Sequence, residues 1–535
     1  MKKTLGILMV LLFILGSMPA MAAEGGNRIV FQMGEEPVRM DPTMNDYASG
    51  SYALQSLFRG LYKFSEDGQI VPAMAEGYEL SEDGTVYTFR LREGLKWSDG
   101  TPLTAHDFEY SWKRVLNPEL ASETAYSMYT VIKNGAEYFL NGTATADDVG
   151  VKALDDLTLE VTLYSPTPYF LSMTATTAYM PVKKELVEGD KDWEWNDKTY
   201  VCNGPFMLKE MRRDEKFIFA KNPNYYNADE VKIDEIEYIF LGAAETARLA
   251  FDNGEVDIAV SVNADARATH ANDGMLYLTD RIGYRWYEFR TDREPFNDPR
   301  VRQALAMALD RRILTAAVMQ GPEKPLLGFI PDAYRDLVDP SKTWREVNGN
   351  VFEENVEAAQ ALLAEAGFPG GEGFPSFRLV QVVDDVLQKT AEAMAQMWKQ
   401  NLGINAEIIT VESGVFWADD TGTREAGEFE VCYMGYTGDY LDPTSILFPL
   451  RFENEETSVT KWNNEEYTAV MNALAAGAAG EERKELCRQA EAILGADMPV
   501  IPIYSYIAQA LVSDRVGGFI RNYIAHPNFE YCYIK

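Results

Sequence analysis

Two aspartates three positions apart, Asp439 and Asp442 in "GDYLDPTS", are the residues of this chain whose chemistry most needs explaining. Asp442 precedes Pro443 and an apolar run, so it reads as the N-cap of a short helix with proline in its first turn. Asp439 has no such task. It follows a strand-like run through Phe429, Val431 and Tyr433 and lies between Tyr436 and Tyr440, with no Lys or Arg following it before Arg451. A carboxylate at the end of a buried strand is costly unless a cation meets it, so the partner comes from elsewhere in the fold or from a ligand. Trp417, Tyr433, Tyr504 and Tyr506 add aromatic surface in the same part of the chain, a composition that suits a pocket with apolar walls and a few placed polar groups.

Catalytic and metal-binding patterns are missing. His106, His270 and His526 are the only histidines, and none has a second His or a Cys at metal-ligand spacing. There is no G-x-S-x-G elbow, no phosphate-binding G-x-x-x-x-G-K and no dinucleotide fingerprint. Adjacent acids such as Asp155-Asp156, Asp384-Asp385 and Asp419-Asp420 are what chance gives among 83 acidic residues, and they read as solvated surface. No catalytic residue, metal or cofactor is expected. The net charge of −34 disfavours nucleic acid and anionic membranes as partners. The four cysteines, Cys202, Cys432, Cys487 and Cys532, are too scattered for a zinc site or a disulfide framework, and their pairing is left open.

Stepping outward to the elements that must hold such a site, the chain alternates short strands with short helices, the pattern of an α/β protein. "VYTFRLR" alternates Tyr87, Phe89 and Leu91 against polar neighbours and predicts a half-buried strand. After it, Thr104 and Asp107 form a capping box for an amphipathic helix. Asp298 and Pro299 open a helix over "PRVRQALAMALDR"; others run from Asn355 to Gly367 and through "QKTAEAMAQMWKQNLG" to Gly403, the last leading into the strand "INAEIITVE". At 535 residues, two or three domains are expected. The first 22 residues have the basic start, apolar run and Ala20-Met21-Ala22 of a secretory signal peptide, so export to the periplasm or the cell exterior is expected, without a lipidation cysteine.

Several runs resemble the oligopeptide-binding branch of the periplasmic solute-binding proteins of peptide ABC importers. These are "TFRLREGLKWSDGTPLTAHDFEYSWKRV" (88–115), "NGPFMLKE" (203–210), "KNPNYYNADEVKIDEIEY" (221–238), "PFNDPRVRQALAMALDR" (295–311), "GDYLDPTSIL" (438–447) and "MPVIPIYSY" (498–506), in family order. The resemblance implies a two-lobed α/β periplasmic-binding-protein fold with hinge strands and an extra domain inserted in the first lobe. Lobe I would comprise 24–58, 195–282 and 506–535, the inserted domain 59–194, and lobe II 283–505. It implies a monomer without enzymatic activity that captures oligopeptides between its lobes and delivers them to membrane permease subunits. Alternatives are a dipeptide or a non-peptide amine-bearing solute on the same architecture, and, from another class, an exported hydrolase.

By the same resemblance Asp439 receives the peptide α-ammonium. Asp46, Tyr47 and Ala48 on one lobe and Gly435, Tyr436 and Thr437 on the other would bond the peptide backbone. Trp417, Tyr504 and Tyr506 would line the site, and Arg424 would meet the terminal carboxylate. The chain departs from some relatives in lacking a cysteine pair at Gly283 and Thr437, and in carrying Tyr433 and Leu387 where basic residues are found.

Overall fold

The computed structural model describes residues 26–65, 68–418, 422–451, 459–524 and 526–535, and the expected signal peptide lies outside them. Among these residues no helix is long and apolar enough to cross a membrane.

The local chemistry read from the sequence is realised in most of the elements that matter. The strand Val86–Leu91 buries Tyr87, Phe89 and Leu91 on one side. The helix Ala105–Val115 begins with the Thr104/Asp107 capping box and buries Phe108, Trp112 and Val115. Asp298 caps Pro299–Met307 by accepting from the Arg300 amide. Asp384 accepts from Val386 and Leu387 at the start of Asp385–Leu402, which ends on Gly403 at φ 73°, a left-handed conformation that glycine adopts without a Cβ penalty.

One eleven-stranded mixed sheet runs through the whole molecule. At its centre lie two long antiparallel strands, Leu276–Phe289 and Val500–Val512. Their outer segments, Leu276–Asp280 against Ile507–Leu511, belong with Ile258–Ala259, Arg28–Met33 and Glu235–Phe240. Their inner segments, Tyr284–Glu288 against Val500–Ser505, belong with Val431–Thr437, Phe377–Val382 and Ala406–Val411. Between the two halves the register shifts, so that Arg281, Ile282 and Gly283 have no partner on the other long strand. Ile282 instead donates to the Tyr523 carbonyl and accepts from the Gly438 amide at 2.6 Å. The wider of the two interruptions in this ladder, between Asp280 and Tyr284, is where a two-lobed chain can bend.

The cores divide the same way. One cluster joins Phe31, Tyr238 and Ile258 to Phe89, Trp112 and Phe170, so the four-stranded sheet that carries Val86–Leu91 is packed onto the first half of the main sheet. The other gathers Tyr284, Trp286, Leu379, Trp398, Val431 and Ile501. All four cysteines are buried and unpaired. Burial pushes the Cys202 thiol up to about 12 and raises the other three as well.

Candidate functional site

The strand Val431–Thr437 forms one wall of the candidate site. It is antiparallel to Gly283–Phe289 along its length, but its other neighbour, Phe377–Val382, reaches only as far as Val431 and Cys432. From Tyr433 to Thr437 the second edge has no strand partner among the described residues, and a free edge is a template for an added strand. Gly435 is required there by packing. A Cβ at that position would lie 1.9 Å from the Tyr506 hydroxyl and 2.9 Å from Nη1 of Arg285.

The chain leaves this edge at Gly438, whose Cβ position is likewise blocked, by the Tyr334 hydroxyl at 2.3 Å. The turn then fixes the two aspartates very differently. Asp442 is buried, accepts from the Thr444 amide and hydroxyl, and forms a two-pronged ion pair with Arg483 at 2.7 and 2.8 Å. The short helix begins at Thr444 with Pro443 in the cap position, so Asp442, expected as the cap, stands one residue earlier and is one half of a buried salt bridge.

Asp439 has no cation within ion-pair distance among the described residues. Its amide donates to Oγ of Ser445, and its carboxylate accepts from the hydroxyls of Tyr436 at 2.5 Å and Tyr126 at 2.8 Å. Burial raises the Asp439 pKa above the ordinary carboxylate value, and the two phenol hydrogen bonds offset this only in part. Burial and the neighbouring Asp439 charge also push both phenols up, so they remain donors at neutral pH. Phenols hold a carboxylate in place without neutralising it. The outcome is a positioned carboxyl group with no counter-charge among the described residues.

Tyr126 is 313 residues from Asp439 and belongs to the domain built on the four-stranded sheet, so this bond crosses between the two cores. Tyr169 and Tyr440 stack across the same boundary, with ring centres 4.0 Å apart and planes 5° from parallel. Around these contacts lies a cavity of about 680 Å³ lined by Tyr126, Tyr164, Tyr169, Tyr436, Asp439 and Tyr440, among others.

The remaining expected residues lie on several elements. Asp46, Tyr47 and Ala48 are exposed just before and at the start of the helix Ala48–Leu57, and Asp46 is among the charges that raise Tyr126. Tyr504 and Tyr506 stand with ring centres 6.0 Å apart on the long strand beside Arg285. Trp417 is 40% exposed and meets Tyr433 edge-on. Arg424 departs from expectation. Its guanidinium makes two 3.1 Å bonds to the buried Glu288 and a third to Glu425, so its charge is already matched within the protein. Two residues that the sequence did not bring forward are Tyr126 and Arg285. Nothing local marks Tyr126, whereas Arg285 is a lone cation in the aromatic run "YRWYEF".

Residues 69–458 match the bacterial extracellular solute-binding proteins, family 5, in the middle region that defines them. The chain is 32% identical over 519 residues to the oligopeptide-binding protein OppA of Bacillus subtilis, covering 96% of this chain and 94% of that one. Among solved structures, the murein tripeptide-binding protein MppA in its unliganded open form superposes with a TM-score of 0.80 at 30% identity, over 95% of this chain and 97% of that one. Haemophilus influenzae OppA in complex with the peptide RPPGFSPFR gives 0.74 at 28% identity, over 96% and 99%.

Proposed function

This chain belongs to the bacterial extracellular solute-binding proteins of family 5, and on that premise we propose that it captures peptides by their free amino terminus and presents them to the permease of an ABC importer. Relatives named for oligopeptide and dipeptide binding, and a solved relative with a peptide in place, support the ligand class. The single observation that carries the residue-level reading is Asp439, a carboxylate oriented by two phenols and matched by no cation within ion-pair distance among the described residues. A ligand ammonium completes it as a charge-assisted hydrogen bond.

In this reading the peptide lies as an added strand on the unpaired edge of Tyr433–Thr437. Gly435, Tyr436 and Thr437 contribute main-chain bonds on one side, and Asp46, Tyr47 and Ala48 on the other. Recognition through backbone and amino terminus tolerates many side chains, as an importer of mixed peptides requires. Closure at Arg281–Gly283 would bring the two walls together and exclude water, which strengthens the Asp439 ion pair. The protein acts by holding its ligand and not by converting it. It works outside the cytoplasmic membrane, as relatives named periplasmic do, as a monomer with domain limits near those of the family.

Isothermal titration of the ligand-stripped chain with matched free and N-acetylated peptides tests the reading. Heat from the free forms alone is the expected result. Equal binding of both forms would remove Asp439 from the ammonium role.

A further inference from the structure

Two arginines beside the edge strand are charged, largely enclosed and unmatched. Arg285 lies directly opposite Gly435 on the neighbouring strand, and its guanidinium fills the space that the absent Gly435 side chain leaves. The Tyr433 and Tyr506 rings flank it, with centres 4.7 and 5.4 Å away. Its Nε is buried without a hydrogen-bond partner, and no carboxylate pairs with it among the described residues. Arg281 is placed similarly. It lies 5.5 Å from the centre of the same Tyr506 ring and donates to Oγ1 of Thr437 at 3.0 Å, while its own Nε is buried and unsatisfied.

The nearby acids do not answer these charges. Among the described residues Asp384 is engaged in capping its helix, Asp280 pairs with Lys324, Glu288 is taken by Arg424, and Glu323, whose charge also reaches Tyr504, forms no ion pair with either arginine. In a chain with 83 acidic and 49 basic residues, two neighbouring guanidiniums with no carboxylate partner among the described residues are not explained by composition. An unmatched buried cation is as costly as an unmatched buried anion. The site therefore carries both, Asp439 just beyond the end of the edge strand with Arg281 beside Thr437 at that end, and Arg285 further back opposite Gly435.

We propose that Arg285, assisted by Arg281, receives a carboxylate of the bound peptide, and that the preferred ligands carry that carboxylate three to four residues from their amino terminus. The spacing follows from the strand. Asp439 is four positions beyond Gly435, and because the strand ends at Thr437 and the chain turns at Gly438, the two are no more than about 13 Å apart at the roughly 3.3 Å per residue of extended chain, a span of at most three to four ligand residues. The carboxylate has two possible sources, the C-terminus of a tri- or tetrapeptide or an acidic side chain at the third or fourth position of a longer one. This inference rests on the peptide reading above and narrows it.

Calorimetric titration with three sets of peptides, all with a free amino terminus, decides the matter. Tri- and tetrapeptides are compared as acids and as C-terminal amides, and hexapeptide amides are compared with Glu or Gln at positions three and four. In the unmodified protein, loss of the carboxylate is expected to weaken binding at least about tenfold in one of these comparisons, and that comparison identifies its source. In Arg285→Met the same factor is expected to fall to about twofold or less, with Arg285→Lys intermediate. The comparison in the unmodified protein stands even where a variant does not fold. Acid and amide forms binding equally, with Glu and Gln also equal, would overturn the inference and leave peptide binding intact. Failure of every peptide to bind would remove the peptide reading and this inference with it.

Discussion

Replacing Asp439 by asparagine should weaken ligand binding and stabilise the empty protein, two effects of opposite sign from one side chain. Asparagine keeps the shape, and its carbonyl can accept from one phenol while its amide donates to the other, so Tyr126 and Tyr436 are not orphaned as they would be by alanine. What changes is the charge. The folded-state pKa of Asp439 is raised by burial, so the folded protein holds a proton at pH values where the unfolded chain has released it. Its contribution to stability is present below the unfolded carboxylate pKa and is lost as pH rises through the folded value. As pH rises through that folded value the empty protein comes to carry an enclosed anion, and Asp439→Asn removes that cost. In the complex the anion faces an ammonium, and loss of one member of a buried charged pair costs about 2–5 kcal/mol, roughly thirtyfold to a few thousandfold in Kd. Thermal melts of stripped protein at pH 7 with calorimetric titration of one good peptide measure both effects. Binding to the unmodified protein should also weaken on acidification as Asp439 takes up its proton, while the asparagine variant stays flat. A variant that melts lower when empty and still binds within threefold of the parent, an outcome far outside the roughly thirtyfold minimum, would refute the reasoning.

Three further outcomes follow from neighbouring contacts. Asp442→Asn strands Arg483 in the interior and should destabilise the fold by about 3–5 kcal/mol, so two aspartates three residues apart are expected to shift a urea midpoint in opposite directions. Arg424→Gln leaves Glu288 buried without its partner and should cost stability on the same scale with peptide affinity little changed; a large loss of affinity at full stability would return Arg424 to the ligand site. Gly435→Ala places a methyl group against the Tyr506 hydroxyl and should abolish measurable peptide binding, and Tyr506→Phe in the same chain should restore part of it by removing that oxygen, as titration of single and double variants will report.

The caps and strands of this fold were legible because they depend on neighbours in sequence. Thr104 with Asp107, Asp298 with Pro299 and Asp384 before its helix all act within three residues of themselves. Asp439 could be singled out for the same reason, since the absence of a nearby cation is a local fact. Its phenol partner Tyr126 was not legible, because a contact across 313 residues leaves no periodicity or spacing to read. Arg424 illustrates the converse. It has the right charge, but Glu288 on the adjacent strand had already engaged it. Arg285 was passed over because a cation in an aromatic strand looks like packing until its missing partner can be seen. The loop holding Asp419 and Asp420 lies outside the described residues.

The four enclosed thiols bear on how this protein must be handled. Burial keeps them protonated and out of reach, so the folded chain tolerates an oxidising compartment without forming bridges. Unfolding returns each thiol to ordinary acidity, and intramolecular bridges that the native packing cannot accommodate then become possible. Stripping a retained peptide with denaturant is such an unfolding. Done without reductant, it is expected to yield a fraction of chains locked out of the native state, and mass spectrometry would register these as a loss of two mass units for each bridge formed. The native cores enclose Cys202 in one half and Cys432 in the other, so any bridge between these two thiols belongs to a non-native chain.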